Sequence, residues 1–252
     1  GGSENMIYSI SGGFDNQQSY IINNDFSRYQ GRVNLEGNLS KSIKIGTNIG
    51  MSYVDNNALN TQRIYRNAVL RAPNTPIMDE QGKYVWRYGS NPQGVNEDTN
   101  PVAWANTGAN NRIDTRVLGN IYADIKFAPW VTWHTDFGVD WIDGKAYSRE
   151  VDKISTREGM AVSTTNNNRR WVISNELRIN KVLNYKHAFN ATLGQSFESS
   201  VEGINSVVGE GFQSDDILSI NAATTKKVTN SLDQKWALVS YFGRLNYQFN
   251  NR

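Results

Sequence analysis

Long stretches of this chain alternate strictly between apolar and polar residues. From residue 43 to residue 53 the odd positions carry Ile, Thr, Met and Tyr, and the even positions from 42 to 52 carry Ser, Lys, Gly and Asn. Successive side chains of a β-strand point to opposite faces, so this period of two predicts a strand with one apolar and one polar face. The run is longer than the ~5–6 residues of an ordinary globular strand.

Neighbouring segments repeat the pattern with strongly charged polar faces. In residues 28–39 the polar positions include Arg28, Arg32 and Glu36, a set that does not fit the core of a β-sandwich. Two further alternating runs, 117–127 and 131–141, meet at a short connection that contains Pro129. Proline has no amide donor for a strand ladder, so a tight turn is predicted there.

Eight strands are predicted from this periodicity. Most of them reach the ~9–11 residues that a tilted strand needs to cross a bilayer. Their predicted ranges are 5–17, 26–39, 42–56, 115–127, 130–149, 168–181, 186–201 and 235–250.

Short and long connections alternate between these strands. Residues 57–114, 150–167 and 202–234 form the long ones, so one end of an up-and-down sheet has tight turns and the other end has extended loops. Outer-membrane barrels have this asymmetry. The predicted fold class is all-β, with antiparallel up-and-down strands that form part of a transmembrane outer-membrane β-barrel with long extracellular loops. Within loop 57–114 a weak helical pattern predicts a short helix in 58–71.

Composition excludes several classes of protein and site. No window approaches the ~18 consecutive apolar residues of a membrane-spanning helix. The 26 basic and 24 acidic residues include no basic run typical of nucleic-acid binding, so no nucleic-acid partner is expected. Cysteine is absent, and His134 and His187 have no evident carboxylate partner. We therefore expect no catalytic residue, no metal site, no cofactor and no enzymatic activity.

Two loop segments invite a ligand-binding interpretation that the sequence does not favour. Asp79-Glu80-Gln81-Gly82 lacks the alternating ligands of a calcium loop and is interpreted as a turn. The glycine-rich segment 203–211 does not lie between a buried parallel strand and a helix, so we interpret it as a flexible surface loop rather than a phosphate site.

Aromatic residues in the longest loop are the candidate ligand-binding residues. Trp86, Tyr88 and Trp104 lie among Asn, Gln, Arg and Asp side chains, a mixture that suits stacking on a sugar ring or contact with a peptide. Packing of these rings within the loop is the alternative. The charged residues of the polar faces are expected to line a lumen.

Several motifs resemble one family. They are Gly1-Gly2-Ser3-Glu4-Asn5 with Gly12-Gly13-Phe14, then Asp25-Phe26-Ser27-Arg28-Tyr29 and Arg32-Val33-Asn34-Leu35, then Asn100-Pro101-Val102-Ala103 in the long loop, and Ser240-Tyr241-Phe242-Gly243-Arg244-Leu245-Asn246-Tyr247. In order and spacing they resemble an interior stretch of the SusC/RagA family of TonB-linked (TonB-dependent) outer-membrane transporters of Bacteroidetes. Such proteins are similar to plugged barrels of roughly 22 strands.

The resemblance implies a role and partners. Residues 1–252 would be a partial TonB-dependent receptor barrel of about eight strands, without the plug domain and the carboxy-terminal strands, located in the outer membrane. The parent would import an oligosaccharide or a peptide with energy from TonB and with a SusD-like lipoprotein as partner. The opening residues lack the regions of a signal peptide, so we expect an internal piece of a longer precursor or a cytosolic protein. A passive porin-like barrel and a soluble all-β glycan-binding module are the alternatives.

Overall fold

The computed structural model describes residues 1–86, 100–151, 159–214 and 217–250. Eight strands form one sheet, and each pairs antiparallel with its neighbour in the sequence, in the order β1 to β8. The strands are β1 (Met6–Gln18), β2 (Asp25–Asn38), β3 (Ile43–Asn57), β4 (Ala109–Ala128), β5 (Val131–Glu150), β6 (Met160–Leu183), β7 (His187–Glu210) and β8 (Thr225–Phe249). The predicted number, order and antiparallel pairing of the strands are confirmed.

The later strands are longer than the sequence predicted. β8 has 25 residues, a length on the order of 80 Å at about 3.3 Å per residue. Residues 109–114, 160–167, 202–210 and 225–234 were predicted to lie in loops but belong to strands. The prediction made these strands too short because the segments lack apolar alternation. Their backbone hydrogen bonds nevertheless continue the strand ladder. The glycine-rich segment 203–211 is corrected in the same way, because residues up to Glu210 lie in β7.

In the described residues, the long connections contain two short α-helices and a 3-10 helix at Ile220–Ala222. The predicted helix is present as α1 (Thr61–Leu70), and Oδ1 of its N-cap residue Asn60 accepts a hydrogen bond from the backbone N–H of Arg63 at 3.0 Å. A second helix, α2 (Pro101–Thr107), was not predicted. Its sequence begins with Asn and Pro, which are favoured at the N-cap and first helical positions. In the described part of the chain, no helix is both long enough and apolar enough to span a membrane.

Strand register collects the alternating residues on two separate faces. Val33 lies opposite Ile49, Ile49 opposite Gly119, Gly119 opposite Val139 and Val139 opposite Trp171. Because residues directly opposite one another share a face, this row forms an apolar band across five strands. As the alternation predicts, apolar and polar residues of these strands lie on opposite faces. The first face includes Val33, Leu35, Ile45, Ile49, Ile121 and Val139, and the second includes Arg32, Asn34, Asn48, Asp124 and Asp140.

The apolar face is not a buried core. Ile121 and Leu193 are each 59% exposed, and the other large apolar side chains of that face are exposed or half-buried. The described buried hydrophobic residues instead form two small clusters, at the end of the sheet where the long connections emerge. A sheet with an uncovered apolar face of this size requires an apolar environment.

Candidate functional site: the polar face and the long-connection end

Ion pairs between neighbouring strands organise the polar face. Nζ of Lys44 lies 2.9 Å from Oε1 of Glu36, and the hydroxyl of Tyr122 donates to Oε2 of the same carboxylate at 2.6 Å. The three residues come from β2, β3 and β4. The Tyr122 ring lies over Gly46, its register partner, where the absence of a side chain leaves room for it. One carboxylate thus connects three strands.

A second group lies nearer the tight turns. Oδ1 of Asp124 is 2.8 Å from Nδ1 of His134 and 3.7 Å from Nη1 of Arg178. The Arg178 guanidinium also contacts Glu176, 2.7 Å away. The expectation that His134 lacks a carboxylate partner was wrong. Asp124 and His134 are register partners across the β4–β5 hairpin, so counting outward from the turn at Pro129 could have found the pair.

Two arginine–carboxylate pairs, the first of them bidentate, extend across β4 to β7. Nε and Nη2 of Arg116 donate to the two carboxylate oxygens of Asp140 at 2.9 and 2.8 Å. Arg170 pairs in turn with Glu198. Much of the charge on this face is therefore neutralised by ion pairs between residues of the sheet itself.

The long connections meet in a buried group that we call the loop cluster. Trp104 of α2 is only 5% exposed. The cluster consists of Ile21, Leu59, Ile64, Trp104, Ala105 and Val151. The Arg63 guanidinium lies 4.4 Å from the centroid of the Trp104 ring. Residues from three different connections thus pack together, and they fix the loops relative to one another.

A buried asparagine organises the same region. Asn100 caps α2, since its side-chain oxygen accepts from the backbone N–H groups of Val102 and Ala103, each at 3.1 Å. Its amide nitrogen donates to the backbone oxygens of Ile77 and Val85. One side chain therefore joins the helix to the segment before it in the loop.

The structure brings two of the three candidate ligand-binding aromatics to the same cluster. Trp104 is buried in the loop cluster, Trp86 packs partly buried against that cluster, and Tyr88 lies outside the described residues. The Trp86 ring stands edge-on to Tyr84 with the centroids 6.4 Å apart. Packing within the loop accounts for the position of Trp104, and ligand binding by Trp86, Tyr88 and Trp104 stays a prediction.

The other predicted segments have simple structures. Asp79 starts a tight turn, with its Oδ1 accepting from the backbone N–H groups of Gln81 and Lys83 at 3.0 and 2.8 Å and with Gly82 at φ 75°. The turn interpretation is confirmed. His187 lies at the tight-turn end, with its Nδ1 2.7 Å from the Tyr247 hydroxyl. Within the described ranges, no group of three or more His, Cys, Asp or Glu side chains is arranged to hold a metal ion.

Comparison with known proteins shows similarity to one kind of receptor. No family model matches the chain. It is 26% identical to TonB-dependent receptor P26 of Formosa agariphila over 100% of its own length and 26% of that receptor. It is also 26% identical to TonB-dependent receptor P3 of the same organism, over 99% of its length and 26% of the relative. The chain thus spans about a quarter of the length of these curated relatives.

A solved structure shares the fold. The RagAB peptide transporter superposes with a TM-score of 0.79 at 19% identity, over 100% of this chain and 29% of the matched chain. At this identity the likeness concerns the fold, an antiparallel up-and-down sheet of the TonB-dependent receptor barrel. The structural likeness and the sequence relatives together confirm the resemblance that the motifs indicated. Over its whole length the chain is similar to a barrel segment of SusC/RagA-type TonB-dependent receptors.

Proposed function

We propose that this sheet is part of the wall of a transmembrane barrel in the outer membrane, within a TonB-dependent nutrient importer. The observation that carries the proposal is the separation of the two faces by register across all eight strands. The exposed apolar face would contact lipid, and the ion-paired polar face would line the lumen. In transmembrane barrels, lipid-facing and lumen-facing residues alternate in this manner.

The positions of the aromatic residues along the strands fit the same arrangement. Aromatic residues on the apolar face lie towards both ends of the alternating region, with Trp133 near the tight turns and Trp141 and Trp171 towards the long connections. Aromatic girdles at the two interfaces of a bilayer have this distribution. The strands beyond Trp141 and Trp171 would project outside the bilayer and carry the loop cluster on the extracellular side.

The open edges support a larger assembly. β1 and β8 each pair with one described strand only, which leaves the outer ladder of each unpaired. Exposed long edges favour pairing with further strands. We propose that other strands of a longer parent close the barrel, and that a plug domain occupies the lumen.

We infer substrate and partners at the level of class. The parent would import a peptide or an oligosaccharide, with TonB supplying energy and a SusD-like lipoprotein covering the loop cluster. The description of RagAB as a peptide transporter favours a peptide as the substrate. The aromatic residues of the loop suit a peptide or an oligosaccharide. A transport role, rather than a catalytic one, fits a wall whose titratable side chains are paired with one another.

The alternatives explain less of the structure. A soluble glycan-binding sandwich needs a second sheet over the apolar face, whereas the described strands all belong to one sheet. A passive porin-like barrel shares the wall, but the named relatives are TonB-dependent receptors.

Membrane fractionation of the full-length parent tests the proposal. We expect the protein to sediment with outer membranes, to resist extraction by high salt and to dissolve in detergent. A soluble periplasmic protein of comparable abundance serves as the control. Recovery of the parent in the soluble fraction without detergent would exclude the barrel.

A further inference from the structure

The polar face contains a recess whose positive charge the sheet neutralises only in part. It has a volume of about 510 Å³ and lies between β1 and β4, towards the long-connection end. We call it the basic recess. Its lining includes Arg28, Arg32, Arg116, Gly13, Gly50 and Ser52. Three guanidinium groups thus line one recess, and none of the described residues that line it is acidic.

The three arginines differ in how they are bound. Arg116 is held by Asp140, and Arg28 donates to the side-chain oxygen of Gln30. Arg32 forms no hydrogen bond or ion pair with the described part of the chain. The acidic register partner of Arg28 is Asp15, whose carboxylate accepts a hydrogen bond from Gln17 at 3.1 Å instead. Elsewhere on this face Lys44, Arg170 and Arg178 each have an acidic partner, whereas Arg28 and Arg32 lie side by side in the recess without one among the described residues.

Glycine keeps the floor of the recess open. A Cβ added at Gly50 would lie 3.9 Å from Nε of Arg32 and 3.7 Å from the backbone oxygen of Leu118, which is ordinary contact. A small side chain would therefore fit there without displacing its neighbours, but it would occupy the space beside the Arg32 guanidinium. Gly50 thus leaves access to this group from the polar side of the sheet.

The chemistry of a guanidinium defines the ligand. Its planar fork matches the two oxygens of a carboxylate and binds them in parallel. The neighbouring Arg116 already binds Asp140 in this way, with Nε and Nη2 as donors. The Arg32 guanidinium offers the same pair of donors, and no acceptor of the described sheet binds them. A volume of several hundred Å³ is also within the range of small-molecule sites.

We propose that the basic recess is a binding site for a carboxylate group of the transported solute. The inference rests on the proposed function, since it takes the polar face as the wall of the lumen. Arg32 provides the principal fork, Arg28 adds a second cation and Arg116, fixed by Asp140, forms the third side. A solute that enters from the long-connection end meets the recess early, because Arg28 lies only three positions from the first residue of β2.

Arginine footprinting tests the site directly and without a transport assay. The full-length protein in detergent is treated with phenylglyoxal, and modification of Arg28, Arg32 and Arg244 is followed by peptide mass spectrometry. Succinate is the carboxylate probe, and succinamide is its neutral analogue. We expect Arg32 to react freely, succinate to slow its modification several-fold and succinamide to leave it unchanged. Arg244, on the same face but outside the recess, should not respond to either compound.

A substitution that fills the floor of the recess distinguishes a shaped binding site from a surface that is only positively charged. In Gly50→Val every arginine remains while the space beside Arg32 is occupied, so succinate protection should be lost. Protection that persists in this variant would overturn the proposal, as would equal protection by succinamide or none by succinate. Arg32 that resists phenylglyoxal without any added acid would show that an acidic group of the parent, such as one on the plug, already fills the recess, and would overturn it as well. Each of these outcomes is independent of whether the parent fractionates with the outer membrane.

Discussion

Asp124 and His134 face each other across the β4–β5 hairpin, with Oδ1 of the carboxylate 2.8 Å from Nδ1 of the imidazole. The same carboxylate lies 3.7 Å from Nη1 of Arg178 on β6. A single acidic group thus contacts side chains on the next two strands on one side of β4, namely β5 and β6. Its removal is expected to remove two contacts, whereas the removal of either partner removes one.

This relationship gives the first prediction. Asp124→Asn should lower the free energy of unfolding by about 1 kcal/mol, because partly exposed ion pairs are worth roughly that much or less. A double-mutant cycle with His134→Gln should show a coupling energy above measurement error, since the two side chains touch. The measurement is equilibrium unfolding of the full-length protein in detergent or lipid. Additivity of the two substitutions would contradict the pairing, and Asp15→Asn, at an acid without an ion pair, is the control.

The second prediction concerns the ring that covers Gly46. A Cβ at this position would lie 2.4 Å from Cζ of Tyr122, so any side chain must displace the ring. Gly46→Ala should then break the hydrogen bond from Tyr122 to Glu36 and destabilise the sheet by about 1–3 kcal/mol, as overpacking typically does.

Gly12→Ala is the matched control for that substitution. Its added Cβ would have only the backbone oxygen of Gln30 nearby, at 3.9 Å. Urea or heat unfolding of the two variants in the full-length protein should therefore differ clearly. Equal stability of the two variants would show that Tyr122 does not lie over Gly46.

The third prediction concerns the loop cluster. Trp104→Ala removes a buried ring that joins three connections, and loss of a core aromatic typically costs about 3–5 kcal/mol. Because the cluster lies beyond the apolar band, the cost should appear as local opening of the loops and not as unfolding of the sheet. Hydrogen exchange should accelerate in α1 and α2 while the strands keep their protection.

Tyr65→Ala provides the control for the loop cluster. Tyr65 lies on the same helix as the cluster residue Ile64 but is 62% exposed, so its truncation should leave exchange in α2 unchanged. Faster exchange throughout β3 and β4 in Trp104→Ala would show instead that the cluster supports the sheet itself.

The fourth prediction tests which face meets lipid. The chain contains no cysteine, so single cysteines can be introduced without a background from this segment. Cysteines at Ile121 and Val139 should react with a lipid-soluble maleimide and resist a charged one, and cysteines at Asn120 and Asp140 should show the reverse preference. Since a one-residue change of register exchanges the faces, an inverted or mixed result in intact membranes would refute the assignment.

The sequence by itself determined the strands in the apolar band, their antiparallel order and the two faces. The reason is that the period of two in residues such as Ile43 to Tyr53 is a direct consequence of strand geometry and needs no knowledge of distant contacts. The turn at Pro129 and the helix in 58–71 were likewise predictable, because proline and local helical spacing act over a few residues.

The tertiary structure alone decided how far the strands extend, which charges pair and where the loop aromatics lie. Beyond the apolar band neither face selects hydrophobic residues, so the ladder of β6, β7 and β8 continues without a pattern in the sequence. Trp104 is buried, and Arg32 has no acidic partner among the described residues, for a related reason. Both outcomes depend on residues that loop packing or strand pairing brings close. These are Ile21 and Val151 for the ring and the register neighbours Ser11 and Gly50 for the guanidinium. Such long-range proximity leaves no local periodicity from which to predict it.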